Sequence, residues 1–201
     1  MRSVSGFHRN GLRRSGEVEV LNYLQMGAIQ GMSCSSIAAT NLGPRFGVVN
    51  LPFLINSFDK LEKFITEGGE WFDHFMMAMD HQGIMGVDIT TYGNYGWASV
   101  DPIRTLDDLR KVKFRIGEAA VNKLTYESWG VRPVVMPWPD VPVALKQGVI
   151  NALDHTLVVM NITKKFEVAK YFTQVDVAQG LFIRSFNKAW FNSLPKELQT
   201  T

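Results

Sequence analysis

The chain has 201 residues and a single cysteine, Cys34. A lone cysteine excludes an intramolecular disulfide and any multi-cysteine metal site, and it leaves the redox compartment open. The simplest reading of Cys34 is a small buried thiol. No apolar run approaches the ~18 residues of a membrane span. The basic start, MRSVSGFHRNGLRRSG, lacks the apolar stretch of ~7–15 residues that a signal peptide needs, so no export signal is expected in this chain. Charge of one sign is also scarce. The formal net charge is +2, without the concentrated basic face that a nucleic-acid partner requires.

Motifs of catalysis are missing as well. There is no G-x-S-x-G elbow, no Walker A loop and no G-x-G-x-x-G, so no cofactor is implied. The histidines are His8, His74, His81 and His155. His74 and His81 are too far apart for the i, i+4 face of a helical zinc site, and with Asp73 and Asp80 they read as a solvated helix face. Asp107 and Asp108 are adjacent, so their side chains diverge; they suit a helix N-terminus better than paired acid–base work. No metal site is expected, and no nucleophile constellation speaks for an enzyme.

What is present is a foldable pattern. Residues 1–15 are basic, Gly/Ser-containing and aperiodic, and are expected to be poorly ordered; the folded region is expected over 16–201. Val18, Leu21, Leu24 and Gln25 fit a short helix ended by Gly27, followed by a strand over 28–33. Residues 46–54 are apolar. Ser57 is placed to cap a helix with Leu61, Phe64 and Ile65 on its apolar face. After Gly68-Gly69, Phe72, Phe75, Met76 and Met79 recur at helical spacing and read as core. A strand is expected over 84–90, then a turn-rich aromatic segment, TTYGNYGWASVDPI. Thr105 and Asp108 have the spacing of a capping box. In KVKFRI, Val112, Phe114 and Ile116 alternate with Lys111, Lys113 and Arg115, which predicts one buried and one cationic face. A helix over 118–129 stops at Gly130. Then come a strand over 134–136, a helix over 139–147 with Pro142 in its first turn, a strand over 149–153, a helix over 162–171, a strand over 181–183 and a helix opened by Pro195. Alternating strands and helices indicate an α/β protein. Such sheets bind ligands beyond the carboxyl ends of their strands, where Arg115 and the residues after Met136 and Leu153 fall.

Five stretches in order resemble the solute-binding proteins of TRAP transporters, the DctP family. They are MGAIQG at 26–31, FGVVNLPFLI at 46–55, DPIRTLDDLRKVKFRI at 101–116, GVRPVVMPWPDVPVALKQGVINALDH at 130–155 and AKYFT at 169–173. The resemblance implies a two-lobed, periplasmic-binding-protein-like α/β fold with an interlobe cleft. It implies capture of a small organic acid in the periplasm, delivery to a TRAP permease in the membrane, and no catalysis. The family's cleft arginine falls on Arg115, whose planar guanidinium matches a carboxylate. Its ligand-packing aromatic falls on Trp138, and a third pocket position on His155.

The residues also have plainer readings: Arg115 as a solvated strand cation, Trp138 as core, His155 as a satisfied, partly buried histidine. Tyr95 stands where some carboxylate binders carry a second arginine, so the contacts are expected to be more aromatic and less cationic. Tyr92 is a further candidate, and Ser35 and Ser36 follow the strand of MGAIQG closely enough to reach a cleft. Lys111 and Asn151-Ala152 depart from the family pattern. The family's first strand and helix, and its last helices, have no counterpart in this sequence. A remnant with no ligand of its own is therefore the rival reading.

Overall fold

Local signals start most of the helices. The computed structural model describes residues 16–199; the expected disordered start and any export leader lie outside the described residues. Helix α1 (Glu17–Gln25) leads to strand β1 (Gly31–Ser35) and the short helix α2 (Ser36–Ala39), capped by the Ser35 hydroxyl, which accepts from the Ala38 N–H. A 3-10 segment (Pro44–Asn50) follows. In helix α3 (Phe58–Thr66) the Ser57 side chain accepts from the Lys60 N–H. Helix α4 (Glu70–His81) buries Phe75 and Met79. Phe75 meets Phe46 and Phe64 edge-on, a favoured aromatic arrangement.

Strand β2 (Ile84–Ser99) connects the two halves of the molecule. Helix α5 (Leu106–Lys111) starts on a complete capping box between Thr105 and Asp108. Then come β3 (Phe114–Ile116), α6 (Ala120–Ser128), β4 (Val134–Val135), a 3-10 turn (Trp138–Asp140), α7 (Val141–Lys146) and β5 (Ala152–Thr156). The chain closes with α8 (Leu157–Ile162), β6 (Tyr171–Thr173), β7 (Gln179–Asn187), α9 (Lys188–Asn192) and α10 (Lys196–Gln199).

The strands run in the order β1-β7-β2-β5-β3-β4, with β6 also paired to β2. The first part of β2 pairs antiparallel with β7, from Ile84↔Asn187 to Asn94↔Gln179. Its last five residues pair with β5, and three of them also with β6. The register shifts between Thr91 and Asn94, and Gly93 there has φ 103°, a value that favours glycine. One strand therefore belongs to two sheets and bends at a bulge. The chain returns beside it, with the Val177 N–H donating to Tyr95 O and the Tyr95 N–H to Ala178 O.

Each side of this crossing has its own core. In the first lobe Leu21, Leu24, Cys34, Phe46, Val49, Ile84, Leu181 and Ile183 pack together. The sheet of the second lobe is covered on both faces: Trp97, Leu109, Phe114 and Tyr126 on one, Val141, Leu145, Leu153 and Met160 on the other. Cys34 is a free, buried thiol of the first core.

Several sequence expectations need correction. The strand expected over 28–33 is Gly31–Ser35. The one expected over 84–90 runs on to Ser99, because the Gly- and Asn-containing stretch that resembles turns is a bulged strand with partners on both sides. The strand expected over 149–153 is Ala152–Thr156, and the helix expected over 162–171 is instead Leu157–Ile162, a 3-10 turn and β6. The cationic face of KVKFRI does not extend to Arg115. Strand β3 lies between β4 and β5, paired parallel to both, and all three of its residues are buried, as is usual for a parallel strand covered on both faces.

Gly96 marks a tight point of the crossing. A Cβ there would stand 2.6 Å from both Phe172 Cζ and the carbonyl oxygen of Thr173. Gly96→Ala is expected to destabilise the protein by about 1–3 kcal/mol through overpacking. Urea unfolding followed by tryptophan fluorescence checks this; an unchanged midpoint would show that β6 shifts freely.

Candidate functional site

Strands β3, β4 and β5 are mutually parallel through β3, so their carboxyl ends open on one side. Arg115 and Gly117, Trp138, and Asp154 with His155 lie at or just beyond those ends, and all of them line one cavity of about 390 Å³. The opposite wall comes from the first lobe: Glu17, Val18, Met32, Ser35 and Phe182. Tyr92 and Tyr95, from the bulged crossing of β2, line it as well. The cavity thus lies between the lobes. Its volume is at the low end of the ~300–1,000 Å³ common for small-molecule sites.

Arg115 is only 5% exposed, so its charge needs partners. Its Nε and Nη2 both donate to the Met136 carbonyl, at 2.9 and 2.5 Å. That leaves the other edge of the guanidinium, Nη1 with the second hydrogen of Nη2. Nη1 stands 4.0 Å from Asp154 Oδ1, at the limit of an ion pair. Burial lowers the pKa of Arg115, with the Asp154 charge acting the other way. Burial likewise raises Asp154 to about 6, against the pull of Arg115 and a hydrogen bond from the Asn122 side chain. For both partners desolvation outweighs attraction at this separation, so the guanidinium is incompletely neutralised.

The aromatic wall is continuous. The Trp138 and His155 rings are 4.4 Å apart, His155 lies 5.5 Å from Tyr95 and 5.8 Å from Tyr92, and Tyr92 lies 4.5 Å from Phe182. Arg115 Cζ sits 5.5 Å from the Trp138 ring centre and Lys165 Nζ 4.0 Å from it, so the indole interacts with two cations. Tyr92 and Tyr95 share a hydrogen bond of 2.7 Å between their hydroxyls. Burial raises both phenols, so both remain protonated. His155 Nδ1 accepts from the Thr156 N–H at 2.9 Å, which places the proton of the neutral ring on Nε2. Burial, then Arg115 and Lys165, lower its pKa to about 3.

Six sequence-chosen residues, Arg115, Trp138, His155, Tyr95, Tyr92 and Ser35, come together on this cavity. Ser36 does not: it is fully buried, and its hydroxyl donates to Asn50 Oδ1. The hydroxyl proton of Ser35 is already committed to Glu17 Oε2 at 2.5 Å, and its N–H to Glu17 Oε1 at 2.8 Å. At the cavity wall Ser35 therefore acts by holding Glu17. The carboxylates Glu17, Glu118 and Asp154 were not anticipated. An acid in the first turn of a helix is explained by the dipole alone, which hides Glu17. Asp154 had a readable signal, a charge inside an apolar strand, but the register error placed it after the strand. Among the described residues no group of three or more His, Cys, Asp or Glu is placed to hold a metal ion.

Two α/β lobes joined by a crossing strand, with a cavity between them, define a two-lobed binding-protein fold. The chain belongs to the family described as bacterial extracellular solute-binding protein, family 7 (DctP), whose sequence model matches residues 7–201. The 2,3-diketo-L-gulonate-binding periplasmic protein YiaO of Escherichia coli is 27% identical over 162 residues, 79% of this chain and 48% of that protein. The C4-dicarboxylate-binding periplasmic protein DctP of Rhodobacter capsulatus is 27% identical over 183 residues, 90% of this chain and 54% of that protein. The chain therefore spans about half the length of these curated relatives. The fold matches that of a TRAP periplasmic solute-binding protein from Xanthobacter autotrophicus, solved with bound β-D-galacturonate. That match has a TM-score of 0.86 at 21% identity and covers 92% of this chain and 61% of the other.

The low pKa of His155 has a consequence for stability. Between its folded value of about 3 and its ordinary 6.5 the unfolded chain binds the extra proton. Stability is then fully present above pH 6.5 and falls as the pH drops toward 3. Relative to His155→Gln, which cannot titrate, the wild type is expected to lose about 2 kcal/mol on going from pH 7.5 to pH 5. Urea unfolding of both proteins at the two pH values measures it; a constant difference would show that the ring takes up its proton without unfolding.

Proposed function

We propose that the protein captures a small organic acid between its lobes and presents it to a TRAP permease in the membrane, without changing it chemically. The observation that carries this reading is Arg115. A buried guanidinium whose Nε/Nη2 edge is fixed by a backbone carbonyl keeps the Nη1/Nη2 edge for a second acceptor. Two parallel N–H donors match a carboxylate in shape and charge. Trp138, Tyr92, Tyr95 and Phe182 supply apolar faces for the body of the solute, and the His155 Nε2–H is a neutral donor. The ligands of these relatives, a diketogulonate, C4-dicarboxylates and a galacturonate, are all carboxylates. These relatives are periplasmic, so the proposed site of action is the periplasm. No described helix is long and apolar enough to cross a membrane.

Calorimetry with a panel of small organic acids tests the reading. Arg115→Ala is expected to weaken binding of whichever acid binds best by roughly 30-fold to several thousand-fold. Arg115→Lys should also bind poorly, because an ammonium cannot hold Met136 O and a carboxylate together. Affinities within about threefold of the parent for both variants would remove Arg115 as the anchor. Trp138→Ala is expected to weaken binding with the fold retained, measured by the same titration beside a thermal melt. A collapsed melting transition would assign the indole to the core instead.

A further inference from the structure

The charged residues lining the cavity are unbalanced. Among the described residues, Arg115 is the one Lys or Arg lining its wall, against three carboxylates, Glu17, Glu118 and Asp154. Asp154 stands beside Arg115 and offsets part of its charge. Among the described residues no cation stands at ion-pair distance from Glu17, and Arg115 acts on it only across the cavity. Both Glu17 oxygens accept from Ser35, one from the N–H and one from the hydroxyl, so the carboxylate is fixed in orientation and each oxygen keeps a free lone pair. Glu118 lies close by: a Cβ on Gly16, the residue before Glu17, would stand 3.4 Å from Glu118 Oε2. Burial raises the Glu17 pKa, against the hydrogen bonds from Ser35 and the Arg115 charge, and the Glu118 charge adds to the rise. The two lobes thus bring groups of opposite charge, Arg115 and Glu17, to the same cavity. The second lobe offers the guanidinium donors of Arg115, and the first offers one carboxylate acceptor, Glu17, with Glu118 of the second lobe beside it.

We infer that Glu17 selects the solute: the site takes a monocarboxylate whose remaining polar groups are O–H or N–H donors, and it rejects dicarboxylates. The inference rests on the proposed capture of an organic acid on Arg115. With one carboxylate on the guanidinium, the far end of the solute meets Glu17. A hydroxyl or ammonium there donates to a waiting lone pair. A second carboxylate meets a like charge out of water, an arrangement that interfaces use to exclude wrong partners. Ser35 is the positioning residue, since it holds both oxygens of Glu17.

The test uses three solutes with the full chain at pH 7.5, by calorimetry. Gluconate presents hydroxyl donors, 4-aminobutyrate presents an ammonium, and succinate, of similar length to the latter, presents a second carboxylate. One of the two donor-bearing acids is expected to bind tightest, and which one it is separates the hydroxyl source from the ammonium source. Succinate should be weaker by on the order of 100-fold. Glu17→Gln keeps the shape and can still accept from the Ser35 N–H, with the hydroxyl reversing to accept from the amide. It should cut the preference over succinate at least tenfold. Succinate binding within threefold of the better donor-bearing acid, or an unchanged ratio in Glu17→Gln, overturns the inference while leaving capture of an acid on Arg115 intact. Failure of all three solutes to bind overturns the carboxylate reading itself, and this inference with it. Arg115→Ala run alongside assigns any observed binding to the cavity.

Discussion

A guanidinium held out of water at the end of a central strand sets the terms for the second lobe and for the cavity. Arg115 is surrounded by groups whose positions answer its charge. The Met136 carbonyl accepts from Nε and Nη2, Asp154 supplies a distant countercharge, and the Trp138 face lies alongside. The cost of burying such an ion is several kcal/mol even after relaxation. It is offset only in part at 4.0 Å from Asp154. The same field keeps His155 neutral, since Arg115 and Lys165 add to the effect of burial on its ring. One strongly donating edge therefore sits beside neutral aromatic groups, in a cavity whose other charged lining residues are Glu17, Glu118 and Asp154.

The crossing strand gives this arrangement its mechanics. Because β2 is hydrogen-bonded into both sheets, the lobes are joined by continuous backbone rather than by a loose linker. The bulge between Thr91 and Asn94 is where the ladder is interrupted, and Tyr92 lies within it. A Cβ on Gly180, in the neighbouring β7, would stand 2.4 Å from the Tyr92 ring. The ring thus packs directly against backbone at the point where the two sheets meet. Tyr92 and Tyr95 are tied through their hydroxyls, so the aromatic floor of the cavity is anchored to the crossing itself.

The parts of this arrangement that are written locally could be read from the sequence. Ser57, Thr105 with Asp108, and Gly130 mark helix ends through chemistry that reaches no more than a few residues, and the structure uses each of them. The order of motifs carried the family and the two-lobed fold. What the sequence concealed depends on distant partners. Gly93, Asn94 and Gly96 spell a turn to any local rule, yet residues 179–187 and 152–156 pair with this segment and make it strand. Alternation in KVKFRI predicted a solvated arginine because a period-two pattern assumes one wet face, and β3 has none. Glu17 was hidden for a similar reason. Its helix-start position explains an acid fully, and only the fold brings Ser35, eighteen positions on, to hold it.

The division of contacts between lobes bears on how closure would be driven. Outside the cavity the described lobe-to-lobe contacts are modest: Asn41 Nδ2 donates to Glu118 O at 2.8 Å, and the Phe53 and Trp129 rings are 6.4 Å apart. A ligand shifts a two-state equilibrium only by its difference in affinity for the two states. On the proposed reading, Arg115, Trp138 and His155 all belong to the second lobe, so a solute can meet them whether the lobes are open or closed. Those contacts raise affinity without favouring closure. Glu17, Met32 and Phe182 belong to the first lobe and line the site from the other side. On that reading, closing would draw on contacts with Glu17 and its apolar neighbours. A solute with a carboxylate but no donor at its far end would dock on Arg115 and leave the lobes poorly closed. Recognition and closure would then reside in different lobes of one small cavity.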